Sequence, residues 1–185
     1  MRGGSYILTN KEIETCVHNI SIGDQKSLET LYYGLKEPIF KFALSILFDY
    51  YYAEDILQET FLTIIKKANQ CRYENTRSWI FTITRNLCMD VMKINKNVNV
   101  EPDENFENIA AINSDKLVTD KLIVSEVLNQ LSTVERQIIT LYIFGEMKQT
   151  EIAECLDMPY QKIRSLYRKS VKTIKQYYEI QKINN

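Results

Sequence analysis

Residues 158–176 read MPYQKIRSLYRKSVKTIKQ and hold six Lys or Arg and no acid. The 185-residue chain around them has a formal net charge of −1, so its basicity is concentrated here. On a helical wheel at about 100° per residue, Ile163, Leu166, Tyr167, Ser170, Val171 and Ile174 share one side. Gln161, Arg164, Ser165, Arg168, Lys172 and Lys175 share the other. One side can bury, and the other gathers positive charge. The pattern predicts a helix from about Tyr160 to Tyr178, entered through Pro159, whose missing amide costs nothing in a first turn.

Just before it, Gln149 to Leu156 reads as a short helix, with Asp157 at the turn. Asp takes a left-handed turn conformation more readily than most residues. Ala153 is small where two helices must approach, and Ile152, Leu156 and Ile163 can share a core. Helix, tight turn and second helix with a basic outer face describe a helix-turn-helix, whose second helix can enter a DNA major groove. The side chains fit: Arg can grip guanine bidentately and Gln can pair with adenine. Lys172 and Lys175, farther along, suit phosphates, which position without specifying. The plain alternative is a solvated basic surface, and the adjoining EIAECLDMPYQKI argues against it.

Farther upstream, Ser132–Glu135 (STVE) is a capping box, and the helix VERQIITLYIF follows, with Gly145 suited to its end. Leu122, Val127, Leu128 and Leu131 mark a preceding helix. Between Asn97 and Asp115 the chain has five acids, no base and five asparagines, and reads as an acidic linker. From Lys11 to about Asn95 the pattern is mostly helical, with Leu57, Phe61, Ile64, Ile65 and Ala68 at helical spacing. The expected layout is all-α. It has a tail over 1–10, a helical domain over 11–95, a linker over 96–119 and a second helical domain over 120–180.

Composition bounds the function. Hydrophobic residues at 45% and charged residues at 25% are globular values, and 5 Gly with 3 Pro favour long helices over a turn-rich β fold. No apolar run nears a membrane span and no signal peptide is visible, so the expected compartment is the cytoplasm, without membrane insertion. Cys16, Cys71, Cys88 and Cys155 lack C-x-x-C spacing, and His18 is the lone histidine. Buried, reduced thiols are expected, with no metal site and no cofactor. With no G-x-S-x-G, P-loop or G-x-G-x-x-G string, an enzyme has little to work with.

Three stretches, YYAEDILQETFLTIIKKA, RSWIFTITRNLCMDVMK and LSTVERQIITLYIFGEMKQTEIAECLDMPYQKIRSLYRKS, together resemble the sigma-70 class of bacterial RNA polymerase sigma factors. The likeness is to the compact two-domain extracytoplasmic-function type, and covers about residues 25–95 and 120–176 in the right order.

The resemblance implies a chain that makes no bond itself but brings core polymerase to promoters and helps to open them. It implies docking on the β′ clamp and β flap, contact with promoter DNA and, in many relatives, control by an anti-sigma protein. The helix AEDILQETF would dock on the clamp; a wheel puts Asp55, Gln58, Glu59, Leu62 and Lys66 on one side, with Leu62 as anchor. The helix RSWIFTITRNLCMD would open DNA and read the −10 element. It presents Thr82, Arg85 and Asn86 on one side with Trp79 at the edge, the core being the rival place for Trp79. Tyr73, Glu74, Asn75 and Arg77 fall where the family builds a pocket for a flipped base. The −35 element would be read by Lys162, Arg164, Ser165 and Arg168, with Gln161, Lys169 and Lys172 close by. Leu166 stands where relatives often carry a second basic residue, so the −35 letters do not follow from the pattern. The linker acids Glu101, Asp103, Glu104 and Glu107 would mimic RNA in the polymerase cleft, or serve only as a tether.

Two rival functions remain. A stand-alone helix-turn-helix regulator explains residues 132–176 but leaves the front motifs idle. A helical interaction protein predicts no promoter-dependent transcript. Charge separates the first rival from a sigma factor. A basic helix on a chain of net charge −1 can read bases, but it attracts bulk DNA poorly without a carrier enzyme.

Overall fold

A computed structural model of the chain describes residues 8–97 and 128–184, with the side chains of 95–97 and 181–184 left aside. The linker acids, most of the tail, and Leu122 and Val127 lie outside the described residues.

Four helices build the front half: α1 (Asn10–Ser21), α2 (Gln25–Leu47), α3 (Tyr50–Lys67) and α4 (Thr76–Asn97). Each of the first three starts on a side-chain cap. Thr9 and Glu12 form a reciprocal capping box on α1. Asp24 accepts from the amides of Lys26 and Ser27 at the start of α2, and Asp49 accepts from that of Tyr52 at the start of α3. Ile13 and Val17 of α1, Leu31, Leu35, Ile39 and Phe42 of α2, Ala53, Ile56 and Ile64 of α3, and Ile80, Phe81 and Cys88 of α4 fill the core. Phe42 and Phe81 meet edge-on, their ring centres 5.6 Å apart. Gly34 lets Leu8 close the bundle, because a Cβ there would stand 2.3 Å from Leu8 Cδ1.

The back half is α5 (Thr133–Ile143), α6 (Gln149–Leu156) and α7 (Tyr160–Asn184). The capping box forms as Ser132 and Glu135 predict. Ile138 and Leu141 of α5, Ile152 and Leu156 of α6, and Ile163 of α7 are buried together. Asp157 ends α6 in the left-handed conformation, with φ 52°. The last helix runs past the expected end at Tyr178 to Asn184, since neither Gly nor Pro stops it. Among the described residues there is no strand, and no helix is long and apolar enough to cross a membrane.

The two halves pack on each other, α5 against α2 and α6 against α4. Each half gives one cation and one ring to the contact. Lys41 Nζ lies 3.8 Å from the ring centre of Phe144, and the Arg136 guanidinium lies 4.1 Å from that of Phe48. Phe48 and Glu146, both at this junction, hold φ of 57° and 50°. A left-handed phenylalanine is held by its surroundings, here by seating its ring under Arg136.

Candidate nucleic-acid interface

On α7 the two wheel faces separate as the spacing predicts. Gln161, Lys162, Arg164, Ser165, Arg168, Lys169 and Lys172 are all exposed, while Ile163 and Ser170 are buried. The Ser170 hydroxyl donates to the Leu166 carbonyl at 2.8 Å, so this polar residue is satisfied within the helix. Leu166 itself packs toward the core. Lys169 is the member that differs from its neighbours. Its Nζ lies 3.0 Å from Oε1 of Glu135, a buried carboxylate on α5. Burial pushes the Glu135 carboxyl up, but hydrogen bonds from Ser132 and the nearby charge of Lys169 outweigh it and leave it below its ordinary range.

The −10 set is divided. Asn86 is exposed, and Arg85, Thr82, Trp79 and Tyr73 are half-buried. Trp79 packs against the core, and Tyr73 meets His18 edge-on with ring centres 5.5 Å apart. Arg77 is only 5% exposed. Its Nη1 donates to the Gly145 carbonyl at 2.8 Å, its Nη2 to the Leu8 carbonyl and its Nε to Asn10 Oδ1. A fan of fixed donors suits this work, and burial lowers the guanidinium pKa. In this arrangement Arg77 therefore faces the back half and offers nothing to a ligand in solvent. Asn75 is exposed, yet it donates to Glu154 Oε2 at 3.0 Å. The Ser78 hydroxyl donates to the Glu151 carbonyl at 3.2 Å. Helix α6 thus lies on one side of α4 and brings Glu151 and Glu154 to it. Thr82 and Arg85 lie near the buried Cys155 thiol, and burial pushes that thiol up to about 12. Cys16, Cys71 and Cys88 are likewise free and buried.

On α3, Asp55, Gln58 and Leu62 are exposed and Glu59 is half-buried, its carboxylate 3.9 Å from Lys66 Nζ. Leu62 does not stand alone. It borders a groove of about 430 Å³ between α2 and α3, lined also by Leu28, Tyr32, Tyr33 and Phe61. Ile65, at the same apolar spacing as the buried Ile64, is 45% exposed and lines the same groove. Helix α3 is backed by α2 and α4 on only part of its circumference, which leaves Ile65 out. Wheel reasoning on α3 alone missed the tyrosines, because they belong to another helix.

An exposed basic helix-turn-helix, joined to a helical bundle with a polar, apolar-anchored face, defines a DNA-reading protein of two helical parts. Profiles of known families agree: "Sigma-70 region 2" matches residues 31–97, and "Sigma-70, region 4" matches residues 121–174. The chain is 24% identical over 156 residues to the ECF RNA polymerase sigma factor SigM of Bacillus subtilis (strain 168), covering 82% of this chain and 95% of SigM. It is 23% identical over 154 residues to the RNA polymerase sigma factor SigZ of the same organism, covering 83% and 88%. Among solved structures, CnrH in complex with the cytosolic domain of CnrY is similar, with a TM-score of 0.66, 17% identity, and 91% and 98% of the two chains covered. The sigma factor RpoE of Bartonella quintana, solved with the anti-sigma factor NepR, is also similar, with a TM-score of 0.63, 20% identity, and 84% and 98% covered. The chain belongs to the sigma-70 family of RNA polymerase sigma factors, in its extracytoplasmic-function group.

Proposed function

We propose that this sigma factor carries core RNA polymerase to a set of promoters, reads their −35 element with α7 and their −10 element with α4, and assists strand opening. The observation that carries the reading is the face of α7. Gln161, Arg164, Ser165, Arg168 and Lys172 all stand in solvent on the second helix of a helix-turn-helix. These side chains suit base edges and phosphates in a major groove. Asn86 and Arg85 on α4, with the half-buried Trp79, are assigned to the unpaired −10 strand, where polar and planar groups hold unstacked bases. Asp55, Gln58, Glu59 and Leu62 are assigned to the β′ clamp, with the α2–α3 groove supporting Leu62 as an apolar anchor. The β flap is the expected site for the back half.

The closed packing of the halves bears on this mechanism. Glu151 and Glu154 of α6 occupy one side of α4, and Arg77 is tied to Gly145. Reading the −10 strand with Asn75, Arg77 and Thr82 requires α6 to leave that side. An anti-sigma protein is a further expected partner, because CnrH and RpoE were each solved with a protein partner, the second named an anti-sigma factor.

A stand-alone regulator would need no polymerase, so co-elution separates the two readings. The full chain mixed with purified α₂ββ′ω is expected to co-elute with it on gel filtration. A chain that elutes alone while still retarding promoter DNA would favour the regulator.

A further inference from the structure

We infer that Lys169 is a positioning residue: clamped to the buried Glu135 carboxylate of α5, it sets how α7 is presented to the −35 bases instead of binding a phosphate. The inference rests on the reading of α7 as the −35 helix and goes further in naming what orients it.

Three observations carry it. The first is burial. The Glu135 side chain is 4% exposed and that of Lys169 is 69% exposed, with 3.0 Å between Oε1 and Nζ. Lys93 and Asp90 offer the contrast, at 2.9 Å but 70% and 66% exposed, where water screens the attraction. A carboxylate out of water cannot lose its cation without being left unpaired and poorly solvated. Swinging Lys169 to a phosphate would do that.

The second is the anchoring of Glu135. Its Oε2 accepts from the Ser132 amide at 3.0 Å and the Ser132 hydroxyl at 2.6 Å. The carboxylate is therefore fixed to the first turn of α5, and the Lys169 ammonium is held to a rigid point. The third is angular. Arg164, Arg168 and Lys172 recur at four-residue spacing along one stripe, whereas Lys169 sits about 100° round from Arg168. It leaves the stripe on the side toward α5. The stripe and the clamp thus share one helix, so holding Lys169 holds the rotation at which Arg164 and Arg168 meet the groove.

The test uses full-length chain with core polymerase, on a promoter fragment recovered by run-off transcription and on the same fragment with its −35 element scrambled, across a salt series. If Lys169 neutralised a phosphate, Lys169→Met would flatten the salt slope by about one unit and spare −35 discrimination. The clamp predicts the reverse: an unchanged slope, and −35 discrimination down by about tenfold, a usual size for coupling between contacting residues. Glu135→Gln is the decisive variant. It removes a negative charge near the DNA, which simple electrostatics says should tighten binding, yet the clamp predicts the same loss of discrimination. The double variant should lose no more than either single one, and Lys169→Arg should retain most of the wild-type preference. Helical content and melting of each variant by circular dichroism separate loss of fold from loss of orientation. A variant that unfolds is replaced by Glu135→Asp, whose shorter side chain draws the carboxylate back from Lys169; the clamp predicts lost discrimination there at constant salt slope. Wild-type discrimination in Glu135→Gln or Glu135→Asp, or a slope lost in Lys169→Met, overturns the clamp alone. If the unmodified chain shows no −35 preference, the functional reading falls and takes the clamp with it.

Discussion

Arg164 and Arg168 stand one helical turn apart on the open side of α7, with no carboxylate paired to them among the ion pairs of the described residues. Each is free to fork onto a guanine edge. Replacing either by Ala should weaken discrimination at its own base pair by about 1–3 kcal/mol while sparing the rest of the site. Binding to promoters mutated one base at a time measures this; a uniform loss at all positions would make them phosphate ligands instead. Other residues changed meaning once their neighbours were visible. Arg77 has a side chain ordinary for DNA contact and a place in the first turn of α4, the helix proposed to read the −10 element. Its partner carbonyl at Gly145 lies 68 residues away in sequence, and no local period announces such a bond. Lys169 and Glu135 are separated in the same way, on two helices whose approach depends on the whole back half.

At the scale of elements, the helix-turn-helix was legible because its signals are local. The Ser132–Glu135 box, the left-handed Asp157 and the two faces of α7 each follow from residues within a turn or two of one another. Helix α3 was legible by half. Its polar side could be read on a wheel, but the groove that gives Leu62 company is made jointly with Tyr32 and Tyr33 of α2, with the exposed Ile65 along it. Leu62→Ala should therefore weaken assembly with core polymerase by about 1–3 kcal/mol, the usual cost of truncating an interface anchor. Titration of labelled chain with core enzyme measures it. Affinity unchanged by Leu62→Ala, with helicity intact, would move the docking face elsewhere.

At the scale of the molecule, the packing of the two halves was the least legible feature, since it depends on contacts between distant segments. Arg77, the paired cation–ring contacts and the α6 carboxylates make that packing specific. Arg77→Ala leaves the Gly145 and Leu8 carbonyls unpaired, at about 1–3 kcal/mol for a buried group, and should shift the chain toward an open form. Cys155 reports on this. It is 1% exposed against α4, its thiol held near 12 by burial, and opening should bare it and speed its alkylation. Cys88, fully buried inside the front half, should stay slow. Equal acceleration of both would signal unfolding, and no acceleration of Cys155 would mean that Arg77 does not hold the halves.

We propose that two helical bodies on one chain, carried by one enzyme, specify where transcription starts. Run-off transcription from genomic fragments with purified core polymerase, with and without the chain, tests this most directly when paired with start-site mapping and permanganate probing of the opened thymines. The prediction is new transcripts that appear only with the chain, share paired −35 and −10 elements, and show reactive −10 thymines. Core enzyme that starts nowhere new, or new starts that share no such pair, would contradict it.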